Sequence, residues 1–155
     1  MAFWQNIQKT YNETATGTHM QFLDAVTTGD REAVSIYLDS NPQAVNQPEK
    51  LTGWTPLILA AGEGNIEMMD LLLARGADME AKDKRGFTAM LTAARNGRLK
   101  AAATLINRGA DATVRDASSR NVLSYAAQSG YADEFASLIV VSSVRKSLQK
   151  ISAAP

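Results

Sequence analysis

Cysteine is missing from this sequence of 155 residues, and histidine occurs once, as His19. Without cysteine the chain can form no disulfide, no thiolate nucleophile and no cysteine-ligated zinc site. With one histidine, the serines lack the histidine base that a serine nucleophile usually needs, and the carboxylates lack histidines to complete a metal site. We therefore expect no enzymatic activity, no bound metal and no cofactor.

The chain also lacks a net charge, because its 16 basic and 16 acidic residues cancel. A neutral chain has no overall attraction to nucleic acid or anionic membranes, so such a preference would need a local patch. No apolar run approaches the length of a membrane span, and no basic start followed by an apolar run marks a signal peptide. We therefore expect a cytoplasmic protein with no membrane contact and no small-molecule substrate.

Internal repetition is the main positive feature of the sequence. The segment that starts at Gly53 recurs from Gly86 and again from Ser119, at a constant offset of 33 in the numbering. A weaker copy precedes it at an offset of 35, and the two extra residues fall within residues 41–53, which have the composition of a loop. Such a period is typical of proteins in which each repeat stacks on the next. The repeats span about residues 18–52, 53–85, 86–118 and 119–155, after an arm at residues 1–17.

Each repeat has the pattern of two helices followed by a short hairpin loop. Thr55, Thr88 and Asn121 stand where a helix N-cap is favourable, and Pro56 suits the first helical position. Glycines that allow a left-handed backbone end the first helices: these are Gly64, Gly97 and Gly130. One helix pair cannot bury its apolar face alone, so stacking should form a continuous core that includes Leu72 and Leu105.

The unit Gly-x-Thr-Pro-Leu, Ala-Ala-x-x-Gly, Leu-Leu-x-x-Gly-Ala-Asp resembles the ankyrin repeat over about residues 18–151. The resemblance implies an all-α ankyrin-repeat solenoid of four helix-turn-helix repeats with short hairpin loops, in a single domain at residues 18–155. It also implies binding of a partner through the concave face and hairpin tips. The family's usual histidine after Thr-Pro-Leu is replaced by Ile58, Leu91 and Ser124, so its hydrogen bonds between loops are not expected.

The two ends of the array differ from its centre. The second helix of the last repeat continues to about Lys150, and its polar outer turns are expected to cap the array. In the arm, Phe3, Ile7 and Tyr11 are spaced at every fourth position beside Trp4, which predicts a short amphipathic helix. We expect this helix to pack on the first repeat rather than on a membrane, and the capped array to be monomeric.

Counting from each repeat start places two groups of residues on the concave and hairpin face. Trp54 and Phe87 share one register in adjacent repeats, so we expect neighbouring rings that anchor a protein interface. Basic residues that would steer an acidic partner map to the same side. They are Lys82, Lys84, Arg85, Arg95, Arg115 and Arg120. The alternatives are rings that simply pack across the hairpin stack, and ordinary solvated tips.

Two functions compete for this face. The leading hypothesis is a small module that binds another protein, as an adaptor, an inhibitor or a regulator. The alternative is nucleic-acid binding through the basic hairpin tips, which the neutral net charge and the low aromatic content disfavour. A steep loss of affinity for DNA or RNA with added salt would support the alternative.

Overall fold

The computed structural model describes residues 15–153 of the chain, with side chains from residue 19 onward. Within these residues the structure is all-α, with no strand. Its helices are α1 Ala15–Thr28, α2 Arg31–Ser40, α3 Pro56–Glu63, α4 Ile66–Ala74, α5 Ala89–Arg95, α6 Leu99–Asn107, α7 Val122–Gln128 and α8 Ala132–Ser152, with a 3-10 helix at Pro42–Asn46 after α2. Successive helices pack as four pairs, and each pair packs on the next. No helix in the described range is both long and apolar enough to cross a membrane.

The two ends of the described chain differ from the sequence-based expectation. Residues 15–17, which were assigned to the arm, are part of α1. The amphipathic helix predicted around Phe3, Trp4, Ile7 and Tyr11 lies outside the described residues. The last helix extends as predicted, but its outer surface is not only polar, because it exposes several large apolar side chains.

One backbone hydrogen bond recurs at the turn inside every helix pair. In each case an N–H group donates to the carbonyl five positions earlier: Asp30 to Ala25, Asn65 to Ala60, Arg98 to Ala93 and Tyr131 to Ala126. These bonds recur at offsets of 35, 33 and 33 in the numbering, which match the offsets in the sequence. The three hairpins are closed by hydrogen bonds from the N–H groups of Glu49, Asp83 and Asp116 to the carbonyls of Trp54, Phe87 and Arg120. Of the two extra residues, one lies within the first hairpin, residues 49–54, and the other lies before it, in the stretch that contains the 3-10 helix.

The first helices of the last three pairs begin at the predicted caps. Thr55 and Thr88 each accept, with Oγ1, the N–H group three positions on, at 3.3 Å and 3.4 Å. Asn121 accepts the N–H of Ser124 at 3.1 Å, and the Ser124 hydroxyl accepts the N–H of Asn121 in return. The serine at a position where the family often has histidine therefore closes a capping box, which satisfies two backbone donors at the helix start.

Buried side chains from all four helix pairs form one apolar core. The largest fully buried residues are Val26, Val34, Leu38, Leu57, Ile58, Met68, Met69, Leu72, Met90, Leu91, Leu105 and Ile106. Leu72 and Leu105, predicted as core positions, have no exposed surface. Burying one such leucine contributes about 1.5–3 kcal/mol relative to leaving it in water.

The hairpins of successive repeats are joined by backbone hydrogen bonds. The N–H of Lys84 donates to the carbonyl of Thr52 at 3.1 Å, and one repeat later the N–H of Ala117 donates to the carbonyl of Arg85 at 3.2 Å. These bonds keep the hairpin tips in register. Residues at equivalent positions of adjacent repeats therefore lie on neighbouring tips.

The third hairpin contains a residue in an unfavourable backbone conformation. Ser119 has φ 63°, in the left-handed region, and it is the one non-glycine residue with positive φ in the described part of the chain. Gly53 and Gly86 occupy the equivalent positions with φ 77° and 80°. A residue with a side chain is strained by about 1–2 kcal/mol in this region, because its Cβ crowds the following carbonyl.

We expect Ser119→Gly to raise the free energy of unfolding by about 0.5–1 kcal/mol, because the relieved strain exceeds the added freedom of the unfolded chain. Chemical denaturation of the purified variant measures this change. The matched control is Ser118→Gly, because the φ of Ser118 is not positive and its replacement should not stabilise the protein. Equal effects of the two substitutions would contradict the prediction.

Candidate partner-binding face

Three of the predicted arginines converge on two aromatic rings. The guanidinium carbons of Arg85 and Arg95 lie 5.6 Å and 5.0 Å from the centre of the Phe87 ring. The Phe87 and Tyr125 ring centres are 6.0 Å apart, and the guanidinium carbon of Arg120 lies 5.0 Å from the centre of the Tyr125 ring. These are cation–π distances. We call these five residues the arginine–aromatic cluster.

The repeat architecture explains why these arginines meet. Arg85 lies in the tip of the second hairpin, and Arg120 lies in the third, which is hydrogen-bonded to the second. Arg95 is the last residue of α5, where the negative end of the helix dipole favours a cation. The ring of Phe87 lies between the hairpin and the end of that helix, so it supports both Arg85 and Arg95.

The two aromatic residues that the sequence treated as equivalent differ in exposure. Phe87 is only 3% exposed, so its ring packs in the hairpin stack and cannot form the apolar centre of an interface as expected. Trp54 remains 39% exposed, and its indole N–H donates to Oδ2 of Asp83 in the next hairpin at 3.2 Å. The neighbouring Leu51 is 84% exposed. The first hairpin tip is therefore the apolar part of this face.

Sequence reasoning missed Asp116 and Tyr125, which connect the cluster to the third hairpin. The buried carboxylate of Asp116 accepts the backbone N–H groups of Ser118 and Arg120 at 2.8 Å and 2.9 Å. It also accepts the Nε–H of Arg120 at 3.3 Å and the hydroxyl of Tyr125 at 2.5 Å. Asp83 accepts the equivalent backbone donors one repeat earlier. The equivalent positions of Asp83 and Asp116 in successive repeats were the sequence signal that could have predicted this role.

These hydrogen bonds change the acidity of both groups. Burial alone would raise the pKa of Asp116, but hydrogen bonds from Tyr125, Arg120 and Ser118, together with the Arg120 charge, lower it to about 2. Burial and the hydrogen bond to Asp116 raise the pKa of Tyr125. At neutral pH Asp116 is therefore ionised and partly neutralises Arg120.

Arg85 and Arg95 have no such carboxylate. At the C-caps of α4 and α6, Arg75 and Arg108 form ion pairs with aspartates at 2.8 Å and 2.6 Å, whereas no carboxylate lies within 4 Å of Arg85 or Arg95 in residues 15–153. Both residues are exposed. Two guanidinium groups held over one ring can donate paired hydrogen bonds to an incoming carboxylate or phosphate.

The other three predicted basic residues make separate contacts. The ammonium group of Lys84 donates to the carbonyl of Lys50 in the first hairpin, and Arg115 donates to the carbonyl of Ser119 in its own hairpin at 2.7 Å. The charges of Lys82 and Lys146 help to lower the pKa of Asp111, which is lowered mainly by hydrogen bonds from Thr113. The structure thus brings together Arg85, Arg95 and Arg120 rather than all six residues.

The described chain has no group of three or more His, Asp or Glu side chains that could hold a metal ion. An open cavity of about 480 Å³ is lined by Leu38, Asp39, Pro42 and Arg75. None of these four residues belongs to the arginine–aromatic cluster.

Comparison with known families identifies the repeat. A family model described as ankyrin repeats matches residues 22–116 in three copies, which is more than half of the chain. The chain belongs to the ankyrin-repeat family. Ankyrin repeats are generally protein–protein interaction modules, and the family is typically non-catalytic. The fourth helix pair lies beyond the matched residues, so a count of four ankyrin repeats stays a prediction.

Curated relatives resemble this ankyrin-repeat chain over part of its length. Ankyrin repeat protein nuc-2 of Neurospora crassa is 37% identical over 71 residues, which are 46% of this chain and 7% of that protein. Ankyrin repeat, SAM and basic leucine zipper domain-containing protein 1 of Atelerix albiventris is 43% identical over 65 residues, 41% of this chain and 13% of that protein. M-phase phosphoprotein 8 of Rattus norvegicus is 38% identical over 61 residues, 39% of this chain and 7% of that protein. The chain thus spans a small fraction of each relative.

Proposed function

We propose that this chain binds a partner protein through its hairpin face and that Arg85 and Arg95 engage an acidic group of that partner. The observation that carries the proposal is the pair of exposed guanidinium groups that lie over the Phe87 ring without a carboxylate partner in the described residues. A module of this kind acts as an adaptor, an inhibitor or a regulator of the protein that it binds.

The arrangement of the face supports binding in two ways. The cation–π contacts hold the guanidinium groups before the partner arrives, so less conformational entropy is lost on association. At the neighbouring tip, Trp54 and Leu51 provide exposed apolar surface, and tryptophan and arginine are the residue types that most often anchor protein interfaces. An acidic partner with an apolar segment fits both parts of this face.

The decisive experiment begins with affinity capture of partners from the native cell and their identification by mass spectrometry. Association with the purified partner is then measured for Arg85→Glu and Arg95→Glu. We expect each reversal to slow association about tenfold and to reduce its dependence on salt, because the attractive charge has been reversed. Lys100→Glu is the matched control, since Lys100 is exposed in the same repeat but lies at the start of α6.

A second set of variants tests the apolar tip. Trp54→Ala should weaken partner binding about tenfold or more through faster dissociation, because exposed tryptophan at an interface is usually a strong contributor. Circular dichroism must first show unchanged helicity, since the Trp54 indole also bonds to Asp83. Partner binding as tight as wild type by the folded Trp54 variant and both arginine variants would exclude the hairpin face.

The same capture experiment tests the nucleic-acid alternative. Recovery of DNA or RNA whose affinity falls steeply with salt would replace the proposal. Lys84 and Arg115 donate to backbone carbonyls, so the hairpin tips offer fewer free cations than the sequence indicates. The lack of catalytic activity, the lack of a cofactor and the cytoplasmic location stay predictions.

A further inference from the structure

The last helix carries an apolar seam that stays exposed within the described part of the chain. Val141, Val144, Leu148 and Ile151 follow one another at intervals of three, four and three positions, and they are 53%, 52%, 60% and 72% exposed. This is the spacing of the a and d positions in a coiled coil, which place apolar side chains along one line of a helix. We call these four residues the α8 seam.

The α8 helix is also much longer than the helices that it packs on. It has 21 residues, whereas α6 has nine and α7 has seven. Its buried residue, Phe135, lies near the N-terminal end, and every residue from 143 to 151 is exposed. In proteins most of the stability of a helix comes from the packing of its apolar face rather than from intrinsic propensity. A second helix along the seam would provide that packing.

The charges of α8 indicate which helix fits. Asp133 and Glu134 lie in its first turn, whereas Arg145 and Lys150 lie toward its end, and none of the four forms an ion pair within the described residues. A second α8 in the antiparallel direction would bring the acidic end of each copy beside the basic end of the other. It would also oppose the helix dipoles favourably. The parallel arrangement would place like charges together.

We propose that two copies of this chain associate through α8, packed antiparallel over the full length of the helix, with Val141 and Val144 of both copies at the centre of the contact. Such a two-fold interface uses the same surface on both copies and closes on itself. Each helix is about 32 Å long, so the two copies would be in contact over that length. A dimer replaces the polar-capped monomer expected from the sequence, and it is independent of partner binding at the hairpin face.

Sedimentation equilibrium of the full chain tests the association. We expect wild type to be dimeric at high concentration, and Val144→Glu to weaken dimerisation at least about tenfold, because a carboxylate would be buried in the seam. Ser143→Glu is the matched control: it adds the same charge at the adjacent exposed residue off the seam and should leave the dimer intact. Circular dichroism must show equal helicity for the two variants at high dilution.

Disulfide trapping tests the direction of the helices, and the absence of native cysteine makes the result unambiguous. An antiparallel pair places Ile151 near the first turn of the other copy. A mixture of Asp133→Cys and Ile151→Cys chains should therefore form a cross-linked heterodimer under mild oxidation, whereas Ile151→Cys alone should cross-link poorly.

Three results would overturn the proposal. The first is a wild-type chain that is monomeric at every concentration, as expected if the seam binds a helix of another protein. The second is a Val144→Glu variant that dimerises like Ser143→Glu. The third is efficient cross-linking of Ile151→Cys with itself, which would show a parallel pair.

Discussion

Replacing Leu105 by alanine is expected to lower the free energy of unfolding by about 2–5 kcal/mol, because the substitution removes buried apolar surface and leaves a cavity. Leu105 has no exposed surface, and it lies in α6 at the position that Leu72 occupies one repeat earlier. Leu72→Ala should have an effect in the same range. Each repeat contacts only its neighbours, so a cavity in a central repeat weakens packing on both sides.

Chemical denaturation of the purified variants measures these losses. Leu51→Ala provides the control, because Leu51 is 84% exposed at a hairpin tip and its truncation should change stability by less than about 0.5 kcal/mol. Losses below about 0.5 kcal/mol for both core leucines would mean that the helices do not pack as described.

Replacing Asp116 by alanine is expected to lower the free energy of unfolding by about 2–4 kcal/mol, because the substitution leaves several donors without their acceptor in a buried place. The carboxylate accepts two backbone N–H groups of the third hairpin, the Tyr125 hydroxyl and the Arg120 guanidinium. Asp24→Ala is the control, since Asp24 is exposed on α1 and its truncation should have little effect.

The loss caused by Asp116→Ala should depend on pH. The pKa of Asp116 is about 2 in the folded chain, below its usual value of about 3.9. A depressed pKa contributes stability that is present above the unfolded pKa and is lost as pH falls through the folded one. The difference between wild type and variant should therefore shrink between about pH 5 and pH 2.

Denaturation at several pH values checks this dependence. The pKa of Glu49 is also lowered to about 2, but Glu49 titrates in both proteins and cancels in the difference. A difference that stays constant from neutral to acid pH would show that the Asp116 charge contributes nothing beyond packing.

Much of the fold could be predicted because repeat proteins are built from local signals. The helix caps need only local contacts. The side chain of each cap residue accepts a hydrogen bond from a backbone N–H only three positions away, as at Thr55, Thr88 and Asn121. The recurring offset of 33 in the numbering then identified Leu72 and Leu105 as equivalent core positions. The matched family and the four stacked helix pairs agree with this interpretation.

The candidate site was only partly predictable. Register alone brought Arg85, Arg95 and Arg120 to one side, but it treated Trp54 and Phe87 as equivalent. In the structure Trp54 is partly exposed and bonds to Asp83 of the next hairpin, whereas Phe87 is buried beside Tyr125 and Arg95. Repeat position gives the direction of a side chain and not the number of neighbours around it.

The sequence by itself determined the period of this protein, the starts of three helices at Thr55, Thr88 and Asn121, and its repeating core, because these depend on contacts within one repeat or between equivalent residues. The tertiary structure alone decided that Asp116 would meet Tyr125 and that Arg85 and Arg95 would share one ring. It also decided that the outer side of α8 would expose an apolar seam. Each of these features depends on how closely neighbouring repeats approach one another or leave a surface uncovered. The packing of the whole array sets these distances between repeats.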